Sequence, residues 1–223
     1  MKKELKKLLW VGLAAVVIIG GGILAYNAAL PQNIPAADPN LLVKKDSHST
    51  EQGARNYTIT IVEFGDYQCP ACGYVEPMIE KLLAEYPQAK LVFRNFPLPG
   101  HQNAMIAAEA AEAAGAQGKF WEMHNAIYLN QELWSKMETP MDAFVEMAKK
   151  LNLDLEKFKQ DVQNHAHVER INKDRDDGVA LGVNSTPTFY INGRKYLGGN
   201  SYVTLKLAID EALQAQATQQ TTK

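Results

Sequence analysis

Hydrophobic and polar positions divide the chain into two unlike parts. No charged residue occurs between Leu8 and Ala37, and within the 23 residues Leu8–Leu30 only Asn27 is strongly polar. The run is apolar on every side and has no amphipathic stripe, which argues against a soluble core helix. A helix of that length spans about 35 Å, enough to cross a hydrocarbon layer of about 30 Å. Lys2, Lys3, Lys6 and Lys7 precede it. The expected layout is a basic cytoplasmic tail over 1–7, one N-terminal transmembrane helix over 8–30 and a body outside the cytoplasm. A cleaved signal peptide has the same basic start. Its apolar region is usually about 7–15 residues, and no clean Ala-x-Ala site follows Leu24 here.

From Pro31 to Asn56, Pro31, Pro35, Pro39, Asn33, Asn40 and Gly53 interrupt any apolar period. This stretch reads as a linker, with Leu41–Val43 as a possible short edge strand. The folded body is expected over 57–216, followed by a polar tail over 217–223.

Within the body, Tyr57–Phe64 has a strand composition. Val75, Met78, Ile79, Leu82 and Leu83 then recur at helical spacing up to Tyr86. Pro70 suits the first turn of that helix, where its missing N–H leaves nothing unpaired. Pro87 closes the helix, and Lys90–Phe96 reads as a second strand, completing a βαβ unit. A helical block follows over about 101–181. Ala104, Ala107, Ala108, Ala111 and Ala114 line one helix face, and further helices are expected around Phe120–Tyr128, Met141–Leu151, Leu155–Val162 and Val168–Leu181. Thr188–Ile191 and Arg194–Leu197 flank Asn192-Gly193, a strong hairpin signal. Ser201 can cap a last helix to about Ala215. The order is βαβ, helical block, ββα, which is an α/β domain.

Composition narrows the class. Hydrophobic residues make up 46% of the chain and charged ones 22%, so it is not mostly disordered. The formal charge of −2 supplies no strongly basic face, and no nucleic-acid partner is expected. Two cysteines are too few for a disulfide-stapled scaffold.

Those two cysteines stand at Cys69-Pro70-Ala71-Cys72, at the start of the first body helix. Two intervening residues there allow the sulfurs to bond. The free N–H groups and positive end of the helix favour a thiolate at Cys69, which is the reactive species. Cys72 lies a turn inward. Cys69 is therefore the expected exchanging sulfur, and Cys72 the one that opens or closes the internal bond. A zinc site needs four ligands, commonly including a second Cys or His pair, so no metal is expected. Covalent haem needs His where Gly73 stands. A structural disulfide across so short a loop restrains the unfolded chain little.

The body resembles the DsbA-like thiol-disulfide oxidoreductases, within the thioredoxin fold. The resemblance rests on Val62-Glu63-Phe64 before the cysteine pair, Arg94-Asn95-Phe96-Pro97, Gly118-Lys119-Phe120-Trp121-Glu122-Met123-His124, and Ser185-Thr186-Pro187-Thr188-Phe189. It implies a helical block inserted into a thioredoxin fold. It also implies a cis-proline at Pro187 that turns Thr186 toward an extended substrate, and a buried acid at Glu63 handling the proton of Cys72. From the residues alone, a solvated strand carboxylate is the lesser alternative for Glu63, because Thr58, Thr60 and Val62 leave the buried face of the strand open. Trp121 and His124 read as packing residues, and Asp174, Asp176 and Asp177 as a solvated helix face.

The expected activity is oxidation of cysteine pairs in exported polypeptides. No cofactor is expected beyond the redox-active Cys69–Cys72 disulfide. The resemblance implies a membrane quinone-linked partner that reoxidises the pair. Ala71 replaces a His of the best-studied oxidases, and Thr186 also occurs in isomerase and reductase relatives. A disulfide reductase or isomerase therefore stands as an alternative, as does an anchored holdase without redox turnover.

Overall fold

The structure is a computed structural model that describes residues 36–44, 47–49 and 57–221. The expected tail over 1–7, the membrane anchor over 8–30 and much of the linker lie outside the described residues. Among the described residues, no helix is long and apolar enough to cross a membrane.

In chain order the elements are α1 (Pro39–Leu42), β1 (His48–Ser49), β2 (Ile59–Gly65), α2 (Pro70–Glu85) and β3 (Ala89–Asn95). The inserted helices are α3 (Ala104–Gly115), α4 (Phe120–Leu129), α5 (Gln131–Trp134), α6 (Met141–Lys150), α7 (Leu155–Gln163) and α8 (Val168–Ala180). The chain then returns through β4 (Thr188–Ile191), β5 (Arg194–Lys195) and α9 (Tyr202–Thr221). The strands form one sheet in the order β1-β3-β2-β4-β5. Only β2 and β3 pair in parallel, as a helical crossover requires. The turn between β4 and β5 uses Asn192 and Gly193, both at positive φ, as the Asn-Gly signal predicts.

β2 is central, between β3 and β4, and is buried on both faces. Ile59 and Ile61 pack with Val75, Ile79 and Leu82 of α2 and with Leu205 and Ile209 of α9. Val62 and Phe64 point the other way, toward Val92, Phe96 and Tyr190. Side chains alternate along a strand, so Glu63 shares the α2 face with Ile59 and Ile61. Its ambiguity in the sequence has a simple cause: a strand covered on both sides shows no polar alternation. The helical insertion has its own core, in which Ala107, Ala108, Ala110, Ala111, Ala113 and Ala114 of α3 are all buried. Alanine lets neighbouring helices approach α3 on several sides, where the sequence suggested one face. The four-residue α5 was not foreseen.

Part of the expected linker belongs to the domain. Leu42 is buried beside Val62 and Val92, and the Ala37 N–H donates to the Gly193 carbonyl. Leu41–Val43 forms no edge strand; the edge is taken by His48–Ser49, antiparallel to β3. This segment is held by Arg94, whose guanidinium is fully buried. Arg94 donates to the carbonyls of Leu41 and Leu42 at 2.7 and 2.8 Å and to Asp174 and Asp177 at 2.6 Å each. The solvated reading of the acidic cluster is thereby corrected. Asp174 is buried and also accepts the Asn95 N–H, and Asp177 also pairs with Lys44. Asp176 alone remains exposed.

Arg94→Ala strands a buried carboxylate and frees the 36–44 segment, so it should destabilise the fold by about 3–5 kcal/mol. Urea denaturation checks this as a lowered midpoint at unchanged slope. An unmoved midpoint would show that the cluster does not hold the segment.

Candidate active site

The turn from β2 into α2 is built to present a sulfur. The Asp66 carboxylate accepts from the Gln68 N–H at 2.7 Å, the Leu98 N–H at 2.9 Å and His101 Nδ1 at 2.7 Å. These contacts fix the loop before the helix. Cys69 is the N-cap of α2, with extended backbone dihedrals and Pro70 in the first turn. Gln131 Nε2 of α5 donates to the carbonyls of Tyr67 and Cys69 at 2.7 and 2.9 Å. Gly73 permits this approach, since a Cβ there would lie 2.6 Å from Gln131 Oε1.

Cys69 and Cys72 are both free thiols. Cys69 retains 7% of its surface and Cys72 none, which is the asymmetry expected of an attacking and a resolving sulfur. The Thr186–Pro187 bond is cis. The Thr186 carbonyl lies 3.4 Å from the Cys69 sulfur, so the loop before β4 and the start of α2 meet at this atom. Pro70 is exposed and Ala71 half-buried.

The two thiols are driven apart electrostatically. Cys69 is lowered from about 9 to about 5, chiefly because the Cys72 thiol donates to it. The backbone N–H groups of Cys72 and Ala71 add to this, while burial opposes it. Cys72 is pushed well above the ordinary range by burial, by its bond to Cys69 and by the charge of Glu63. Glu63 is fully buried, with neither carboxyl oxygen hydrogen-bonded within the protein. Burial pushes its carboxyl well above the usual range, and the charges of Glu76 and Cys69 push it further. The solvated alternative for Glu63 is thus set aside.

The sequence reading missed Glu76, Tyr67 and Tyr128, which surround this buried acid. Glu76 was within reach: it is four residues after Cys72 and falls on the stripe Cys72, Val75, Ile79. The Tyr67 hydroxyl lies 2.9 Å from His124 Nδ1, and His124 Nε2 lies 3.1 Å from Glu76 Oε1. His124 is packed among aromatic rings, as expected of a core residue, but it also joins two polar groups. Nothing in the local pattern marked Gln131.

A sheet with βαβ and ββα halves, a cysteine pair at the first helix and a cis-proline facing it define a thioredoxin-fold protein. The family model described as thioredoxin matches residues 45–211, and the chain belongs to that family. Among solved structures, a thioredoxin-like oxidoreductase from Silicibacter pomeroyi DSS-3 is 26% identical with a TM-score of 0.66, over 80% of this chain and 99% of that one. BdbD from Bacillus subtilis, in its oxidised form, has a TM-score of 0.70 at 23% identity, over 82% of this chain and all of its own. A curated relative, the Na(+)/H(+) antiporter NhaA 1 of Salinispora arenicola, is 39% identical over 163 residues. That stretch is 72% of this chain, which spans only 24% of the antiporter's length.

Alkylation of the reduced protein should follow a single ionisation near pH 5 at Cys69, with Cys72 unreactive until the protein unfolds. The lowered value also fixes a sign for stability. The reduced form gains stability over the oxidised form as pH rises from about 5 toward 9, and loses it as pH falls through 5. Mass-resolved iodoacetamide labelling across pH checks the first statement, and paired denaturation curves check the second. A Cys69 midpoint near that of free cysteine would refute both.

Proposed function

We propose that the domain is an extracytoplasmic thiol-disulfide oxidoreductase that oxidises cysteine pairs in exported polypeptides. The observation that carries this reading is the Cys69 sulfur, favoured as an anion at the start of α2 and facing the Thr186 carbonyl beside cis-Pro187. In the oxidised form a substrate thiolate attacks Cys69. The Cys69–Cys72 bond breaks, and Cys72 leaves as a thiolate that takes a proton by way of Glu63. A second substrate thiolate then attacks the substrate sulfur of the mixed disulfide and expels Cys69 as a thiolate. The substrate gains the disulfide and the enzyme keeps the two electrons. Thr186, in this reading, offers its backbone to an extended substrate segment.

Direction follows from which form the fold favours. A thiolate near pH 5 stabilises the reduced enzyme at pH 7, which makes the pair more oxidising by at most about 60 mV. The donors on the Cys69 sulfur thereby take over the part that the His absent at position 71 plays in other oxidases. The expected anchor over 8–30 would hold the domain at the outer face of the membrane, within reach of a quinone-linked reoxidase. What is shared with the antiporters is about a quarter of their length, and ion transport forms no part of this reading.

Cys69→Ser should abolish insulin reduction and peptide thiol exchange, a loss of at least a hundredfold. The pair should equilibrate with glutathione at a potential above the roughly −270 mV of thioredoxin. A potential at or below that value would turn the assignment toward a reductase. Full function in a Cys69→Ser, Cys72→Ser double variant would replace it with a holdase.

A further inference from the structure

Asp66 precedes Cys69 in the active-site turn, and its side chain and main chain serve different partners. The carboxylate is buried and takes three hydrogen bonds. Oδ1 accepts the Gln68 N–H at 2.7 Å, and Oδ2 accepts the Leu98 N–H at 2.9 Å and meets His101 Nδ1 at 2.7 Å. The main chain faces the cysteines. The Asp66 carbonyl accepts the Cys69 N–H at 3.0 Å. The Asp66 N–H bonds the Cys72 sulfur and favours its thiolate, against burial, the bond to Cys69 and the charges of Glu63 and Cys69. Residue 66 is therefore a pivot shared by both cysteines.

Of the three groups on this carboxylate, two are main-chain N–H groups and His101 supplies the side chain. His101 and Leu98 belong to one turn between β3 and α3, in which the His101 N–H donates to the Leu98 carbonyl at 3.0 Å. The His101 carbonyl accepts the Ala104 N–H at 3.1 Å, which ties the turn to the first residue of α3. The imidazole keeps 27% of its surface and the Asp66 side chain none, so His101 closes the clamp on its solvent side. A carboxylate that already accepts two main-chain N–H groups is arranged as an acceptor, which requires the His101 proton on Nδ1. The placement of Asp66 bears on rate, because a leaving thiol whose anion is better stabilised leaves faster.

We propose that His101 is a positioning residue for the resolving cysteine: by holding the Asp66 carboxylate through Nδ1, it keeps the Asp66 N–H on the Cys72 sulfur while that sulfur carries the charge of the broken disulfide. The proposal rests on the exchange reaction above. On opening, a substrate thiolate bonds to Cys69, the Cys69–Cys72 bond breaks, and its electron pair stays on Cys72 facing the Asp66 N–H. On closing, the Cys72 thiolate attacks Cys69 of the mixed disulfide and the substrate leaves as a thiolate. The same N–H meets the charge on Cys72 in both transition states, so His101 speeds both directions alike. The Cys69 anion is held by other donors, the Cys72 thiol and the N–H groups of Ala71 and Cys72.

The test mixes the oxidised full-length protein with reduced glutathione at pH 7 and follows opening of the disulfide. Closing is followed as glutathione release after the reduced protein is treated with oxidised glutathione. His101→Ala should slow opening and closing together, by roughly threefold or more. The equilibrium with glutathione and the Cys69 alkylation midpoint near 5 should stay where they are. His101→Asn, whose amide N–H can take the place of Nδ1–H, should restore both rates. Unchanged rates in His101→Ala, or an Asn variant as slow as the Ala variant, would overturn the proposal. So would a shifted equilibrium or midpoint, which is the mark of a turn merely loosened. Nitrogen-15 NMR of the wild-type imidazole needs no variant: the neutral ring should carry its proton on Nδ1, and a proton on Nε2 would equally refute the clamp. A wild-type Cys69 midpoint near that of free cysteine would instead sink the exchange reading, while the Nδ1 tautomer would still stand.

Discussion

Convergence of donors on one sulfur is the constraint around which the rest of the domain is arranged. The Cys72 thiol and the N–H groups of Ala71 and Cys72 all favour the Cys69 anion, against the burial of that sulfur. No single one of these elements holds the sulfur alone. The helix supplies two N–H groups only because Cys69 sits at its N-cap, and the Thr186 carbonyl, which accepts from the Cys69 thiol, arrives on the loop before β4, more than a hundred residues later in the chain. The chemistry is therefore a property of the junction between the βαβ and ββα halves.

The sheet makes that junction rigid. β2 carries Glu63 beneath α2 and ends where the active-site turn begins, while β4 pairs with β2 and starts just after Pro187. The same strand register thus sets both the acid below the cysteines and the loop beside them. The inserted helices complete the site from the third side. α5 contributes Gln131 to the Cys69 carbonyl, and α4 contributes His124, bonded to Glu76, and the buried Tyr128. An insertion between the two halves of the fold can do this because α3, nearly all alanine on its buried positions, brings its neighbours close.

The polar interior has two parts with different demands. Arg94, Asp174 and Asp177 form a satisfied charge cluster that ties the 36–44 segment to the sheet. Glu63 and Glu76 are the opposite case, buried carboxyls with oxygens left unpaired. Unpaired buried oxygens cost stability, and such groups cluster where protonation changes during function. That contrast separates the groups that hold the domain together from those the exchange reaction can use.

Much of this was legible along the chain. The period of Val75, Ile79 and Leu82 marks α2, Pro70 its first turn, Asn192-Gly193 the hairpin, and the two-residue spacing of Cys69 and Cys72 their chemistry; each is a local rule acting over one or two turns. The buried face of β2, the pairing of Arg94 with Asp174 and the seating of Leu42 were not legible, because each depends on a partner distant in sequence. The apolar run and the cysteine spacing needed only the chain itself. Whether Glu63 is wet or dry, which aspartates are buried and what lies behind Cys72 were decided by packing, since burial is set by whatever covers a residue and that cover comes from elsewhere in the chain.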